Sequence, residues 1–418
     1  MPNKFRKDLQ YFKFCLYGFL KNLRFFEPFL YLFFIEKGLS FFQIGVLIAI
    51  REISRNITEI PTGLLADIFG RRKMMIFGFS SYIASFLIFF FSSSYNVFIL
   101  AMIFYSFGDA FRTGTHKAMI LEYLDINKWE EQKVTYYGST RSWSQIGSAI
   151  SSVVAAFLVI YSGSYRYIFL YSVIPYLIDL LLMISYPRVL DGVPETGTGI
   201  SIKARFTEIY YEVRNTLPRI SALRAIGSTA LFSAYYRIVK DYLQPIILAV
   251  VLILPMKLEI PKDKLTALAI GFVYFLVYIS GALASRFSGL VTLRAGGLRP
   301  ILNSSLLIGL GTGFIIGFLF FLNSVFCSIL SIIFFVFIVV SENIRKPAGV
   351  AYISGLADKK ILATSLSIES QVKGLFAAIL APALGFLIDQ FGIGEGFMIL
   401  AFALIILFPI VRINENKM

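Results

Sequence analysis

Gly63-Leu-Leu-Ala-Asp67-Ile-Phe-Gly70-Arg71-Arg72-Lys73 separates two long apolar runs, and its reading decides the fold. A carboxylate, a turn glycine and three cations fall within the seven residues from Asp67 to Lys73. Gly70 allows a tight turn that a side chain would obstruct. Asp67 stands at the end of the preceding apolar run, where a carboxylate can meet the positive N-terminal end of another helix. Arg71, Arg72 and Lys73 mark one side of a membrane and can pair with carboxylates or anionic head groups.

Around this stretch the chain is 418 residues long, 57% hydrophobic and 15% charged. Apolar runs long enough to cross a hydrocarbon layer of ~30 Å recur along it. They are continuous and do not alternate with period two, which excludes a β-barrel. The first run is too long, and too polar in its middle, for a cleaved signal peptide, so it is expected to stay as a helix. The net charge of +14 would suggest nucleic acid on a soluble protein, but here the cations cluster in loops on one side. No nucleic-acid partner is expected. Cys15 and Cys327 lie in apolar segments, and the single histidine, His116, cannot make a metal site alone. There is no P-loop and no nucleophile–base set, so neither an enzyme nor a bound cofactor is expected. Energy must come from a gradient.

Hydropathy predicts about twelve helices, at 10–35, 42–65, 74–93, 96–118, 134–160, 166–186, 221–248, 265–286, 298–321, 324–345, 362–388 and 393–412. The seventh runs on past Gln244-Pro245 and can be read as one long kinked helix. Placing the N-terminus in the cytoplasm puts Arg71 to Lys73, Lys128, Lys133, Arg188 to Arg219, Arg294, Arg299, Lys359 and Lys360 on the inner side. A plasma (inner) membrane protein with both termini cytoplasmic follows. The segment 187–219, with an amphipathic stretch from Ser201 to Thr216, divides a six-helix bundle at 1–186 from a second at 220–418. Gly281-Ala-Leu-Ala-Ser285-Arg-Phe-Ser288 echoes the opening stretch 218 residues on, in the expected loop between helices eight and nine. Two related halves of this kind are the architecture of a rocking secondary transporter.

Gly63, Asp67, Gly70, Arg71 and Arg72 match the signature Gly-x-x-x-Asp-x-x-Gly-Arg-Arg/Lys, and the chain thereby resembles the major facilitator superfamily. Glu59-Ile-Pro-Thr-Gly63 and Gly108-Asp-Ala-Phe-Arg112-Thr-Gly114-Thr resemble its bacterial drug or permease branch. The resemblance implies an all-α fold of twelve membrane helices in two pseudo-symmetric bundles. It implies a contact between Asp67 and the start of helix eleven, Ala363-Thr-Ser-Leu-Ser367, that closes the cytoplasmic side. It also implies a central path lined by helices one, two, four, five, seven, eight, ten and eleven. Helix five, Gly138-Ser-Thr-Arg141-Ser-Trp-Ser-Gln145-Ile-Gly147-Ser-Ala, departs from the Gly-Pro-rich pattern of many proton-driven efflux members. Its small residues instead suit close helix packing.

Charges on membrane helices must face the interior or pair. They fall on nearly all the helices that the resemblance assigns to the path: Lys21, Arg24 and Glu27; Arg51, Glu52, Arg55 and Glu59; Asp109 and Arg112; Arg141 with Gln145; Tyr236, Arg237, Lys240 and Asp241; Glu342, Arg345 and Lys346; Glu369 and Lys373. Helix six carries only Asp179. Arg24, Arg51, Arg55, Arg112, Arg141 and Arg237 offer planar donors for a carboxylate or phosphate. The resemblance gives Arg112 a part in the transport cycle and in proton coupling. Glu27, Glu52, Asp109 and Glu369 are candidate partners or proton carriers. Tyr235, Tyr236, Tyr274 and Tyr278 could line the second half of the path, and most other aromatics are expected to face lipid or its interface. His116 is read as a helix-end residue with no coupling role. The expected function is a proton-coupled secondary carrier of a small organic anion, acting as a monomer in the bilayer. A drug or metabolite efflux antiporter is the first alternative, and a membrane-embedded lipid-handling protein or enzyme the second.

Overall fold

The computed structural model describes residues 7–129, 132–191, 220–254, 260–356 and 362–414. Most of the linker, with Ser201 to Thr216, lies outside them, as do Lys359 and Lys360. The side chain of Asp67 and those of residues 363–366 also lie outside what is described. The described residues form α-helices without a strand: α1 (Leu9–Leu20), α2 (Leu30–Glu36), α3 (Phe41–Phe69), α4 (Arg71–Phe91), α5 (Tyr95–Arg112), α6 (Thr115–Ile126), α7 (Lys133–Ser162) and α8 (Tyr167–Ile184). Then come α9 (Ile220–Asp241), α10 (Leu243–Ile253), α11 (Lys262–Arg294), α12 (Leu298–Phe321), α13 (Val325–Leu356), α14 (Leu362–Phe391), α15 (Ile393–Ile406) and α16 (Phe408–Val411). Eight helical spans among the described residues are long and apolar enough to cross a membrane. The all-α polytopic fold expected from hydropathy is present.

Four of the expected helices are broken, and the breaks have local causes. The first ends at Leu20, turns through 21–26 and resumes after a 3₁₀ turn at Glu27–Phe29. Pro28 cannot supply the N–H that would bond the Arg24 carbonyl, and its ring crowds that carbonyl. Pro245 acts in the same way on Asp241, so the seventh helix splits at Tyr242. Pro409 ends the last helix at Leu407. The fourth splits at Thr113 and Gly114, the latter with φ +82°.

Three expectations are corrected here. The opening stretch is not a loop: Gly63 to Phe69 close α3, and Gly70 alone, at φ +93°, makes the turn into α4. Its echo at 281–288 is no loop either, because α11 runs straight through to Arg294. Ser288 stands where Gly70 would, and the chain turns later, at Gly296 and Gly297 with φ +83° and +116°. The tenth helix likewise extends to Leu356, which puts Glu342 to Lys346 in its interior and not at its end.

The chain forms two compact units. One gathers 1–33, 50–199 and 267–278; the other gathers 34–49, 200–266 and 279–418. In the first, α4 packs between α5 and α8, and α1 packs on α7. Small residues permit these approaches, as the sequence of helix five implied. A β-carbon on Gly147 of α7 would stand 2.5 Å from the Phe19 carbonyl oxygen, and one on Gly108 of α5 would stand 2.7 Å from the Tyr82 ring. The aromatics here divide: Phe26, Phe33, Phe86, Phe89, Phe98 and Phe169 are buried against one another, while Phe77, Phe91, Phe157 and Tyr161 are exposed. In the second unit α12 packs between α13 and α15, and α9 packs on α13 and α14. The first turn of α3 meets α14 there: Gly45 lies on Ala381, and the Asp389 carboxylate accepts the N–H groups of Phe41 and Phe42 at 2.9 and 2.8 Å.

Replacing Gly147 with leucine therefore drives α7 off the Phe19 backbone. The expected result is a loss of about 1–3 kcal/mol, seen as earlier heat aggregation of the detergent-solubilised protein. Wild-type behaviour of Gly147→Leu would refute the close α1–α7 contact.

Candidate translocation site

In the first unit the charges lie mostly beside their own sequence neighbours. Arg24 pairs with Glu27 at 3.7 Å on the unwound segment between α1 and α2. On α3, Glu52 is fully buried and accepts Arg51 at 3.2 Å and Arg55 at 3.7 Å, while Arg55 also reaches Glu59 at 3.9 Å. On α5, Asp109 accepts the Arg112 guanidinium at 3.1 Å and the Tyr82 hydroxyl at 2.5 Å, and Arg112 Nε donates to the same hydroxyl at 3.1 Å. Asp109, Arg112 and Tyr82 thus form a closed triangle that ties α5 to α4. Arg24 and Arg55 also lie within electrostatic reach of Asp109. The Ser106 hydroxyl donates to the Arg51 carbonyl at 2.8 Å and ties α5 to α3. Arg141 and Gln145 lie on the exposed face of α7.

The turn at Gly70 is held within the same unit. Arg71 pairs with Glu122 of α6 at 3.3 Å. Arg72 donates from its guanidinium to the Tyr186 carbonyl at 3.0 Å, at the end of α8. Its backbone N–H donates to Asp191 at 2.7 Å, so Asp191 caps the start of α4. A β-carbon on Gly70 would stand 3.1 Å from that carboxylate. His116 is buried, stacked on Tyr17 and hydrogen-bonded to Tyr186 at 3.2 Å.

The second unit holds a cavity of about 230 Å³ between α9, α13 and α14. Arg237, Lys346 and Lys373 bring three cations to its wall, and Glu342 and Glu369 bring two carboxylates. Tyr236, Ser233 and Thr229 add polar groups, and Val350 and Ile353 an apolar edge. Ser233 donates to Glu342 at 2.8 Å. Arg345 is one residue from Lys346 yet points the other way. It is fully buried and donates to the Ser228 carbonyl at 2.9 Å and hydroxyl at 2.6 Å, to the Ser305 hydroxyl at 3.1 Å, and to the Leu302 carbonyl.

Of the residues expected on the path, the structure gathers Tyr236, Arg237, Glu342 and Glu369 around this one cavity. Asp241 pairs with Lys240 at 3.4 Å and is not part of the cavity wall. Tyr235 is buried against Gly313 of α12, not on the cavity wall. Tyr274 is buried too, with its ring against that of Tyr278. Sequence reasoning passed over Tyr82, Asp191 and Ser233. A tyrosine amid the apolar residues of α4 was the one available signal for Tyr82, since a buried hydroxyl needs a partner.

A family model, that of the Major Facilitator Superfamily, matches residues 14–343. An uncharacterised MFS-type transporter of Bacillus subtilis (strain 168), YxaM, is 27% identical over 174 residues, which is 42% of each chain. Among solved structures, the nucleoside transporter NupG superposes with a TM-score of 0.73 at 13% identity, covering 98% of each chain. A POT family transporter in complex with 5-aminolevulinic acid superposes with a TM-score of 0.71 at 15% identity, covering 96% of this chain and 95% of the other. These likenesses to solved structures show the fold.

Asp109→Asn leaves Arg112 buried opposite a neutral amide, which costs about 3 kcal/mol. Tyr82→Phe removes one hydrogen bond from the same triangle and costs about 1 kcal/mol. Thermal unfolding of the purified variants is expected to rank them in that order below wild type. Equal stability of Asp109→Asn and wild type would dissolve the triangle.

Proposed function

The chain belongs to the Major Facilitator Superfamily and is a multi-pass membrane transporter, and we propose that its cargo is a small organic anion. The cavity among α9, α13 and α14 is the observation that carries this reading. Three cations against two carboxylates leave its wall with a positive excess. Arg237 can accept a carboxylate or phosphate side-on, while Lys346 and Lys373 supply point charges. The size suits a solute of a few carbon atoms. A lipophilic cation would meet the excess charge unfavourably.

The anion travels by alternating access, driven by protons. Proton coupling needs a carboxyl that changes charge within the cycle. Glu27, Glu52 and Asp109 are each committed to an arginine, at 3.7, 3.2 and 3.1 Å. They are therefore assigned to positioning the helices. Asp67 is assigned to the cytoplasmic gate, with Gly63 and Gly70 shaping the end of α3 and Arg71 and Arg72 anchoring the following turn within its own unit. The cation-rich loops support a plasma-membrane protein with cytoplasmic termini.

A ligand that binds the native state raises apparent stability. In a screen of mono- and dicarboxylates, phosphate esters and organic cations, some anions are expected to raise the unfolding temperature by several degrees. Arg237→Ala with Lys373→Ala is expected to abolish that rise. Stabilisation by cations alone would overturn the anion reading. With the most stabilising anion as radiolabelled cargo in liposomes, Asp67→Asn is expected to slow uptake at least tenfold while inserting normally. Wild-type uptake by that variant would remove the gate.

A further inference from the structure

Asp179 is the one charged residue of α8, and no step above uses it. It is completely buried, and neither carboxylate oxygen has a hydrogen-bond partner. Every other carboxylate placed above in the first unit has a cation or a donor on at least one oxygen. A bare carboxylate in such a place costs several kcal/mol, even after relaxation. A neutral carboxyl costs less, a penalty only for its unpartnered polar atoms.

The surroundings of Asp179 connect it to the break in the first membrane helix. Tyr176, one turn earlier on α8, donates its hydroxyl to the Lys21 carbonyl at 3.1 Å. That carbonyl lies where α1 has just ended. The positive charges that act on Asp179 are Lys21 and Arg112. Tyr17 of α1 and Tyr186 beyond the end of α8 are the other titratable groups in its electrostatic reach. Tyr82 of α4 packs on the Tyr176 ring, and His116 of α6 lies with Tyr17 and Tyr186. Arg141 of α7 acts on Lys21. Arg112 is already committed to Asp109 and Tyr82. The Lys21 ammonium, in contrast, sits 5.4 Å from the centre of the Tyr17 ring and within half-buried surroundings.

We propose that Asp179 is the site that binds and releases the coupling proton, and that Lys21 is the cation that answers its change of charge. This rests on the proton-coupled reading above. On release, the carboxyl O–H bond breaks, its electron pair stays on the oxygen, and the proton passes to water entering beside the unwound segment. The carboxylate left behind draws the Lys21 ammonium toward α8. Lys21 begins the segment that also carries Arg24 and Glu27, so proton loss repositions charges on the path without a change in any of its arginine pairs. Rebinding a proton from water restores the neutral carboxyl and frees the ammonium to return over Tyr17.

The proton itself is the probe, so the test needs no solute. Infrared difference spectra of the purified full chain, titrated from acid to alkaline pH, report carboxylic-acid C=O groups that lose a proton. Wild type is expected to lose one such band as pH rises, and Asp179→Asn, nearly isosteric, is expected to lack it. Lys21→Gln removes the compensating cation and favours the neutral acid, so the same band is expected to persist about tenfold lower in proton concentration or further. A band that survives in Asp179→Asn and vanishes in Glu342→Gln would overturn the assignment and leave proton coupling standing on another carboxyl. A band present at every pH would make Asp179 a fixed neutral acid and overturn the proposal. No buried acid band in wild type would overturn the assignment and the proton-coupled reading together. An unchanged midpoint in Lys21→Gln would remove Lys21 from the exchange.

Discussion

A charged side chain in a hydrocarbon layer must find its counter-charge or its hydrogen bonds inside the protein, because water is not there to supply them. The arrangement around Arg112 and Arg345 shows two answers to that constraint. Arg112 is matched by a carboxylate, Asp109, with Tyr82 donating to the one and accepting from the other. That set is neutral as a whole and can sit deep between α4 and α5. Arg345 is held mainly by neutral oxygens, from Ser228, Ser305 and Leu302. Its charge is left to be felt by Glu342, which lies one turn earlier and faces the cavity.

The same constraint governs the broken helices. A break frees backbone carbonyls, and in a membrane these must be bonded by something other than water. At the end of α1 the Tyr176 hydroxyl bonds the Lys21 carbonyl, and the Asn22 amide bonds the Gly18 carbonyl at 2.7 Å. At the end of α5 the Asp109 carbonyl keeps the Thr113 N–H at 3.0 Å and gains the Thr113 hydroxyl at 2.7 Å. The breaks therefore sit beside the polar groups that can satisfy them. Membrane helices interrupted in this way are where transporters place solute and ion sites. Small residues complete the arrangement, since Gly18 and Gly147 let α7 approach the end of α1 just before the unwound turn.

The apolar runs were legible because hydrophobic length is a one-dimensional property of the chain. So was the turn at Gly70, where only a residue without a β-carbon suits the backbone beside Asp191. The matching turn in the second half was not, because resemblance to residues 63–70 pointed to 281–288 while Gly296 and Gly297 supplied the needed φ. Proline at 245 announced a kink, but the break before Pro28 was not read, nor which carbonyls would be rescued. The cavity was half legible. Glu369 and Lys373 share a face by their spacing, and Glu342 was in view. Arg345 and Lys346 are neighbours in sequence, about 100° apart around the helix, and composition cannot say which of them turns inward. Tyr82 and Asp191 act through partners far away in the chain, which no local pattern records.

The two units place their charges in different ways, and this bears on where cargo can be sensed. In the first, Arg24 with Glu27, Arg55 with Glu52 and Glu59, and Arg112 with Asp109 are each joined along one stretch of chain, three or four residues apart. Such pairs travel with their own segment, so their energy changes little when helices shift. In the second, the facing charges come from three helices: Arg237 from α9, Glu342 and Lys346 from α13, and Glu369 and Lys373 from α14. Their mutual energy depends on how those helices stand, and an anion placed among them changes that dependence. A solute can move a conformational balance only by its differential affinity for the two states. Charges spread over separate helices can supply such a difference, and charges paired along one helix cannot.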